Sequence, residues 1–273
     1  AEGAYAVKPK PSFLGPDHAS TFEDPSVVEA YRHRPPYPEE TFDLLADLAV
    51  GSGGAVLDAG CGTGFLARPL ARRGFRVDAV DPSSAMIAVG RRLEGGDRVR
   101  WIEAPMETAP LDPPYALAVA GESLHWMEWS VVLPRIAEAL APGAPLVIVG
   151  KEFTSSPWDD ALPELVSRYT TNPDHGPFDL GQELESRGLF APEGEVRTGM
   201  VPFDSHVDDF VESFHSASYL SRERMGRTAA AEFDAAVRRM VGAAHPEGRW
   251  TSGVRAFLTW GLPVPLRPRR DGA

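Results

Sequence analysis

The chain has 273 residues, one cysteine and a formal net charge of −12, with 39 Asp and Glu against 27 Lys and Arg. It is long enough for one large α/β domain, and its acidity does not favour a nucleic-acid partner, because such proteins neutralise phosphates with Lys and Arg. No apolar run is long enough to span a membrane and one cysteine cannot form an intramolecular disulfide, so we expect a cytoplasmic protein without a membrane partner.

Apolar runs of strand length alternate with helix-patterned stretches through the first 150 residues. Residues 1–21 are interrupted by prolines and are expected to form a flexible tail. Two helices split by a proline cluster at 35–38 follow as a cover. Strands are then predicted at 55–59, 75–80, 99–103, 115–121 and 144–150, and helices between them at 65–73, 83–92 and 131–140. Continuous apolar strands separated by helices are typical of a doubly wound parallel sheet covered on both faces.

The pattern changes after residue 150, where aromatic residues and prolines interrupt the sequence. Helices are predicted at 207–217 and 228–243, and strands at 196–203 and 253–264. We expect residues 151–273 to complete the sheet and to add inserts that form a small helical lid over the substrate. These residues and the core before them would form a single catalytic domain.

The segment VLDAGCGTGFLARPLARRGFRVDAVDPSSAMI, residues 56–87, has Gly60, Gly62 and Gly64 between the first strand and the next helix. Glycines at such a turn let the backbone approach a ligand, and Asp81 at the end of the second strand can accept both hydroxyls of a ribose. Together they predict an adenosine-containing cofactor across the carboxyl ends of a parallel sheet, bound by a core at residues 22–150. The spacing is G-x-G-x-G, with Asp58 before it, which disfavours a nicotinamide oxidoreductase.

The segment LDAGCGTG resembles the class I S-adenosylmethionine-dependent methyltransferases. YRHRPPYP (31–38), DPSSAMI (81–87) and ESLHWM (122–127) are similar to further segments of their small-molecule branch, the type 11-like enzymes. The resemblance covers residues 22–150. It implies a Rossmann-like sheet of seven mostly parallel strands, S-adenosylmethionine as the cofactor, and S-adenosylhomocysteine as the product.

The resemblance also implies a set of cofactor-binding residues at the positions that match its motifs. They are Tyr31, Arg34, Asp58, Gly60, Gly62, Gly64, Asp81, Pro82, Met86, Met106, Glu107 and Glu122. Asp58 would orient the amino group of the methionine part, and Arg34 would pair with its carboxylate. Asp81 would hold the ribose, while Glu122 would contact either the amino group or the acceptor, unless it is a solvated loop carboxylate. The chain departs from many relatives at Pro105, where they have an acid that receives the adenine amino group.

A base is needed if the methyl acceptor is a hydroxyl group. His125, after the fourth strand, is the first candidate base, although it could merely shape the pocket, because methyl transfer can proceed by alignment and water exclusion alone. His215 is the second candidate base. The predicted substrate-contacting residues are Trp126, Phe153, Phe214 and Tyr219, with burial in the core as the competing interpretation for Trp126 and Phe214. No metal site is predicted, since neither HExxH nor CxxC occurs.

The predicted function is methyl transfer from S-adenosylmethionine to a small-molecule acceptor by a monomer or homodimer, with an oxygen of a specialised metabolite favoured. Three alternatives stay open: N- or C-methylation of a small molecule, an RNA or protein methyltransferase, and a catalytically silent S-adenosylmethionine-binding protein. A basic surface or an added binding domain would favour the RNA or protein enzyme, and neither is evident in the sequence.

Overall fold

The computed structural model describes residues 10–51, 54–174, 176 and 178–264, and one central sheet organises them. Its strands are β1 Ala55–Ala59, β2 Arg76–Asp81, β3 Arg100–Glu103, β4 Tyr115–Gly121, β5 Leu146–Phe153, β6 Phe190–Arg197, β7 Val201–His206 and β8 Arg249–Pro263. The helices are α1 Pro16–Ala19, α2 Pro25–Ala30, α3 Glu39–Leu48, α4 Ala67–Arg72, α5 Ser84–Arg92, α6 Trp129–Ala139, α7 Leu162–Tyr169, α8 Leu180–Ser186, α9 Val207–Phe214, α10 Arg222–Met225 and α11 Arg227–Ala244.

The strand order is β3-β2-β1-β4-β5-β8-β6, and β7 also pairs with β8. The first five strands are parallel, whereas β8 is antiparallel to its neighbours. Strands β6 and β7 lie end to end along one edge of β8, so the sheet is seven strands wide. The predicted doubly wound, mostly parallel α/β fold is therefore confirmed. The strand order reverses between β1 and β4, where ligands bind in open α/β sheets.

The single strand predicted at 196–203 is divided into β6 and β7. The hydroxyl of Thr198 accepts a hydrogen bond from the backbone N–H of Ala256 at 2.9 Å, so a side chain replaces a carbonyl in the ladder. The backbone N–H of Gly199 turns away from the sheet and donates to Glu40 at 2.7 Å. Both contacts join residues far apart in the chain, which explains why the local pattern did not predict the break.

The strands bury apolar side chains on both faces, as their continuous apolar sequences predict. Val56 belongs to the core on one face of the sheet, and Leu57 to the core on the other. A third cluster lies under the predicted lid, where Val211 and Phe233 are fully buried. Phe214 packs against this cluster, so the interpretation of its helix as partly core is correct. Helices α7, α9 and α11, with the segment 215–226 between the last two, thus share a small hydrophobic core, and these elements are called the lid below.

The tail predicted at residues 1–21 falls partly on residues 1–9, which lie outside the described residues. Its described part, residues 10–21, packs against the core. Leu14 is 2% exposed in the main core, and Lys10 donates to the carbonyl of Met127 at 2.9 Å. Short helices follow, and Pro16 and Ala19 line a cavity of ≈ 280 Å³ beside the glycine-rich turn. The prolines of this segment indicated a flexible chain, but its few apolar residues pack on the core. In the part of the chain that is described, none of the helices has the length and apolar character needed to cross a membrane.

Candidate functional site

A main cavity of ≈ 280 Å³ opens at the carboxyl ends of β1 and β2, at the point where the strand order reverses. A smaller inner pocket of ≈ 20 Å³ adjoins it through the shared residues Tyr31, Gly60 and Glu122. Most of the predicted cofactor-binding residues line one or both of these spaces, namely Tyr31, Arg34, Asp58, Gly60, Gly62, Asp81, Pro82, Met86, Met106, Glu107 and Glu122. Residues from separate parts of the chain are thus brought together as predicted.

The glycine-rich turn requires glycine both for its backbone angles and for space. Gly60 and Gly64 have φ values of 72° and 83°. A Cβ atom at Gly60 would lie 2.5 Å from Cβ of Ser123, and one at Gly64 would lie 2.7 Å from the ring of Trp101. Gly60 lines the main cavity, but Gly64 packs against Trp101 and lines neither space. Gly64 therefore shapes the turn from the side that faces Trp101, away from the main cavity and the inner pocket.

Asp81 joins the turn to the start of the following helix. Its two carboxylate oxygens accept hydrogen bonds from the backbone N–H groups of Gly62 and Ser83, each at 2.8 Å. Burial raises the pKa of this carboxyl, and the two backbone bonds oppose the rise. Each oxygen keeps accepting capacity toward the main cavity, which suits the hydroxyls of a ribose.

The far wall of the main cavity is apolar. Met86 and Met106 are buried there, and Trp126 and Phe22 form an edge-to-face pair with ring centroids 5.7 Å apart. Pro105 also lines this wall, so the acid found in many relatives is absent at that position. This wall can hold a flat ring between apolar side chains.

Asp58 forms one side of the inner pocket and is 1% exposed. Its Oδ2 atom has no hydrogen-bond partner. Burial raises the pKa of Asp58 to about 7, and the charge of Asp81 adds to the rise. A buried carboxylate oxygen without a partner is costly unless a ligand supplies one, so the residues present fit a ligand that places an ammonium group here.

Tyr31 and Arg34 cover the inner pocket and connect it to the lid. A Cβ atom at Gly62 would lie 3.4 Å from the ring of Tyr31, so that ring covers the turn closely. The Arg34 guanidinium lies 4.3 Å from the centroid of the same ring. It also donates to the hydroxyl and the carbonyl of Ser216, at 2.8 and 2.9 Å. Arg34 therefore connects the lid to the inner pocket.

Lys151 is not among the residues that the sequence predicts for the site, yet its side chain is 5% exposed at the wall of the inner pocket. Its Nζ atom lies 3.4 Å from Oε2 of Glu122 and 4.1 Å from the ring centroid of Tyr37. Burial raises the pKa of Glu122, but Lys151 and Arg34 lower it more, so the net shift is downward. Glu122 has a φ of 53°, a conformation that non-glycine residues seldom adopt outside functional sites. A lysine directly after the apolar run LVIVG is the available signal, but the apolar pattern predicts a strand that ends at Gly150.

A third space, the lid cavity, has a volume of ≈ 620 Å³ and lies between the end of β5, β7 and α9. The predicted substrate residues Phe153 and Phe214 both line it, and Phe153 is 54% exposed. A pair that the sequence did not suggest also lies here, with Nδ1 of His33 2.9 Å from Oδ1 of Asp209. Arg34 lines both this cavity and the inner pocket.

The remaining predicted residues lie in different surroundings. Trp126 lines the main cavity, whereas His125 lines none of the three spaces and packs against Trp126 with ring centroids 4.7 Å apart. Tyr219 also lies outside them, and burial raises the pKa of its phenol. His215 is fully buried, with ring nitrogens 2.8 Å from the carbonyl of Leu220 and 2.7 Å from Asp234. Because both nitrogens are engaged away from the cavities, this geometry gives His215 a structural role and opposes its prediction as a base.

Residues 56–143 match the family model described as a methyltransferase domain. A trans-aconitate 2-methyltransferase of Delftia acidovorans is 36% identical over 115 residues, which cover 39% of this chain and 41% of that protein. Another trans-aconitate 2-methyltransferase, from Mycobacterium tuberculosis, is 30% identical over 180 residues, or 62% of this chain and 64% of the relative. The matched part of the chain thus spans less than two thirds of the length of either relative.

Solved structures share the fold over a larger part of the chain. A protein from Anaeromyxobacter dehalogenans, described provisionally as a type II methyltransferase, has 27% identity and a TM-score of 0.61, with 85% of this chain and 99% of that one covered. The structure described as the [4+2]-cyclase SpnF has 20% identity and a TM-score of 0.54, with 94% and 98% covered. The second similarity shows a common fold only, and fold alone does not establish a reaction.

Proposed function

We propose that the protein transfers the methyl group of S-adenosylmethionine to a small molecule, since residues 56–143 match a methyltransferase-domain model and the cavities at the strand ends suit this cofactor. One observation carries the proposal. The bare glycine turn, the Asp81 carboxylate and the unpartnered oxygen of Asp58 all line two adjoining spaces at the strand-order reversal. That arrangement suits a ligand with a ribose at one end and an ammonium group at the other.

S-adenosylmethionine, when bound, supplies a methyl carbon already activated by a positively charged sulfur. The residues of this chain then have to bind, align and exclude water. Asp81 would hold the ribose hydroxyls, Met86 and Met106 would enclose the adenine, and Asp58 would hold the amino group. The ring of Tyr31 would cover the turn and shield the reacting centre from solvent.

The acceptor atom that we propose is an oxygen. The relatives named trans-aconitate 2-methyltransferase support an acid as one class of acceptor. The lid cavity supports a small molecule, because ≈ 620 Å³ lies in the usual range for drug-sized ligands and aromatic side chains line it. We also propose that the acceptor belongs to specialised metabolism. The residues that we propose to contact it are Trp126, Phe153, Phe214 and Tyr219.

A hydroxyl acceptor would have to lose its proton, and His125 remains our proposed base. It follows β4 and adjoins Trp126 at the main cavity, although it does not line that cavity itself. The His33–Asp209 pair is a second candidate, because an aspartate bound to Nδ1 orients the other ring nitrogen as an acceptor. In this structure that nitrogen accepts from Arg32 at 3.2 Å.

The competing functions differ in what they would methylate. N- or C-methylation of a small molecule would use the same main cavity and inner pocket for the cofactor. The net charge of −12 disfavours RNA, and a protein acceptor has no feature in its favour here. Because a shared fold does not establish a reaction, a protein that binds S-adenosylmethionine without methyl transfer is the remaining alternative. A cytoplasmic setting, and a monomer or homodimer, stay predictions.

The test uses methyl-labelled S-adenosylmethionine and a fractionated cell extract. Label in a small-molecule fraction would support the proposal and isolate the acceptor. Label in protein or RNA would contradict the acceptor class while leaving the cofactor site in place. Binding of the cofactor without labelling of any fraction would favour the catalytically silent alternative.

A further inference from the structure

Two buried groups of opposite charge face the inner pocket without pairing with each other. Asp58 has an oxygen with no hydrogen-bond partner. Lys151, on another strand, makes its hydrogen bond within the described part of the chain only to Glu122, at a long 3.4 Å. An ammonium group has three donors, so most of the capacity of Lys151 is unused. Buried charges that served only the fold would be expected to be paired.

The other surroundings of Lys151 are aromatic. Its Nζ atom lies 4.1 Å from the ring centroid of Tyr37 and 5.2 Å from that of Phe65. Ring faces stabilise a cation but leave its N–H donors available for an oxygen ligand. The contact with Glu122 holds the ammonium at the wall of the inner pocket, where it can meet an anionic group.

Arg34, which the family resemblance assigns to the cofactor carboxylate, already has partners. Its Nε and Nη2 atoms donate to Ser216 at 2.8 and 2.9 Å, and its Nη1 atom lies 3.4 Å from the hydroxyl of Tyr31. Using the Nε and Nη2 donors that bind Ser216 for a ligand would require release of the lid, which leaves mainly Nη1 of Arg34 for a ligand. Lys151 can bind a ligand without breaking any short hydrogen bond.

We propose that Lys151 binds the α-carboxylate of S-adenosylmethionine and S-adenosylhomocysteine opposite Asp58, which binds the α-ammonium, and that Arg34 serves to anchor the lid. The inner pocket is thus a receptor for the zwitterionic amino-acid end of the cofactor. This inference rests on the proposed function, because it takes the cofactor to be the ligand of the two spaces.

The test compares three ligands by calorimetry: S-adenosylhomocysteine, its decarboxylated analogue, and 5′-methylthioadenosine, which lacks the amino-acid end. The wild-type protein should bind S-adenosylhomocysteine at least about tenfold more tightly than the decarboxylated analogue, as expected for a charge-assisted hydrogen bond. In Lys151→Met that ratio should fall to about one, with 5′-methylthioadenosine binding unchanged.

Two further variants separate the role of Lys151 from other effects. Arg34→Met should keep the ratio of the affinities for S-adenosylhomocysteine and its decarboxylated analogue. Both affinities are expected to fall together if release of the lid weakens binding. Arg73→Met is the control, because Arg73 lies outside the three spaces. It also contacts an aromatic ring, that of Phe42 at 5.0 Å, and a carboxylate, that of Glu39, so its loss should change the affinity for neither ligand. Thermal unfolding of each variant checks that it is folded.

Loss of the ratio in Arg34→Met but not in Lys151→Met would overturn the inference and restore the assignment expected from the family. Equal wild-type affinity for S-adenosylhomocysteine and its decarboxylated analogue would also overturn it, and this comparison needs no variant. If the wild-type protein binds none of the three ligands, the proposed function itself fails. The two failures are therefore distinguishable.

Discussion

Titration of Asp58 is expected to control the affinity of the protein for S-adenosylhomocysteine between about pH 6 and pH 8. Its carboxyl is buried, has an unpartnered oxygen, and has a pKa of about 7. If only the ionised carboxylate binds the ligand ammonium, about one molecule in eleven is competent at pH 6 and about ten in eleven at pH 8. The dissociation constant should therefore fall about tenfold across this range.

The same titration affects the stability of the ligand-free protein in the opposite direction. The pKa of Asp58 rises from 3.8 in the unfolded chain to about 7 in the folded state. The folded state holds the extra proton between these values, so its stability falls as the pH rises through this window. A rise of about three pKa units corresponds to roughly 4 kcal/mol at pH 8.

Asp58→Asn separates the two effects because it keeps the shape of the side chain and removes its charge. At pH 8 the variant should unfold at higher denaturant, with an unfolding free energy greater by up to about 4 kcal/mol. It should bind S-adenosylhomocysteine more weakly and without the tenfold pH dependence. A variant no more stable than the wild type, together with a wild-type affinity that is flat from about pH 6 to pH 8, would refute the reasoning.

Three further predictions concern Asp81, His125 and His215. Asp81→Ala should weaken S-adenosylhomocysteine binding by about tenfold or more in calorimetry, because it removes the proposed ribose contact and two backbone hydrogen bonds. An unchanged affinity would exclude this placement of the ribose. His125→Ala should slow the methylation of a hydroxyl acceptor without weakening cofactor binding; if His33→Ala does so instead, the base lies in the lid cavity. His215→Ala should lower the unfolding free energy by about 3 kcal/mol, because it leaves buried Asp234 without one partner, and an unchanged melting temperature would contradict that structural role.

The amino-acid sequence by itself determined the parallel core and the position of the glycine-rich turn beside Asp81. The predicted bounds of β1 and β4 are confirmed. Gly60 and Asp81 are recognisable because Gly60 directly follows β1 and Asp81 is the last residue of β2, and the carboxyl ends of neighbouring parallel strands lie side by side. These are local patterns, and one short window of sequence contains each of them.

The tertiary structure alone decided which charges meet across the chain. Arg34 and Ser216 are 182 residues apart, and their contact depends on how the lid packs. The pairing of β5 with β8 extends β5 to Phe153, which carries Lys151 to the inner pocket. His215 has a structural role because its ring contacts Asp234 of α11 inside the lid. Side chains of this kind take their roles from long-range packing, which local spacing and periodicity do not encode.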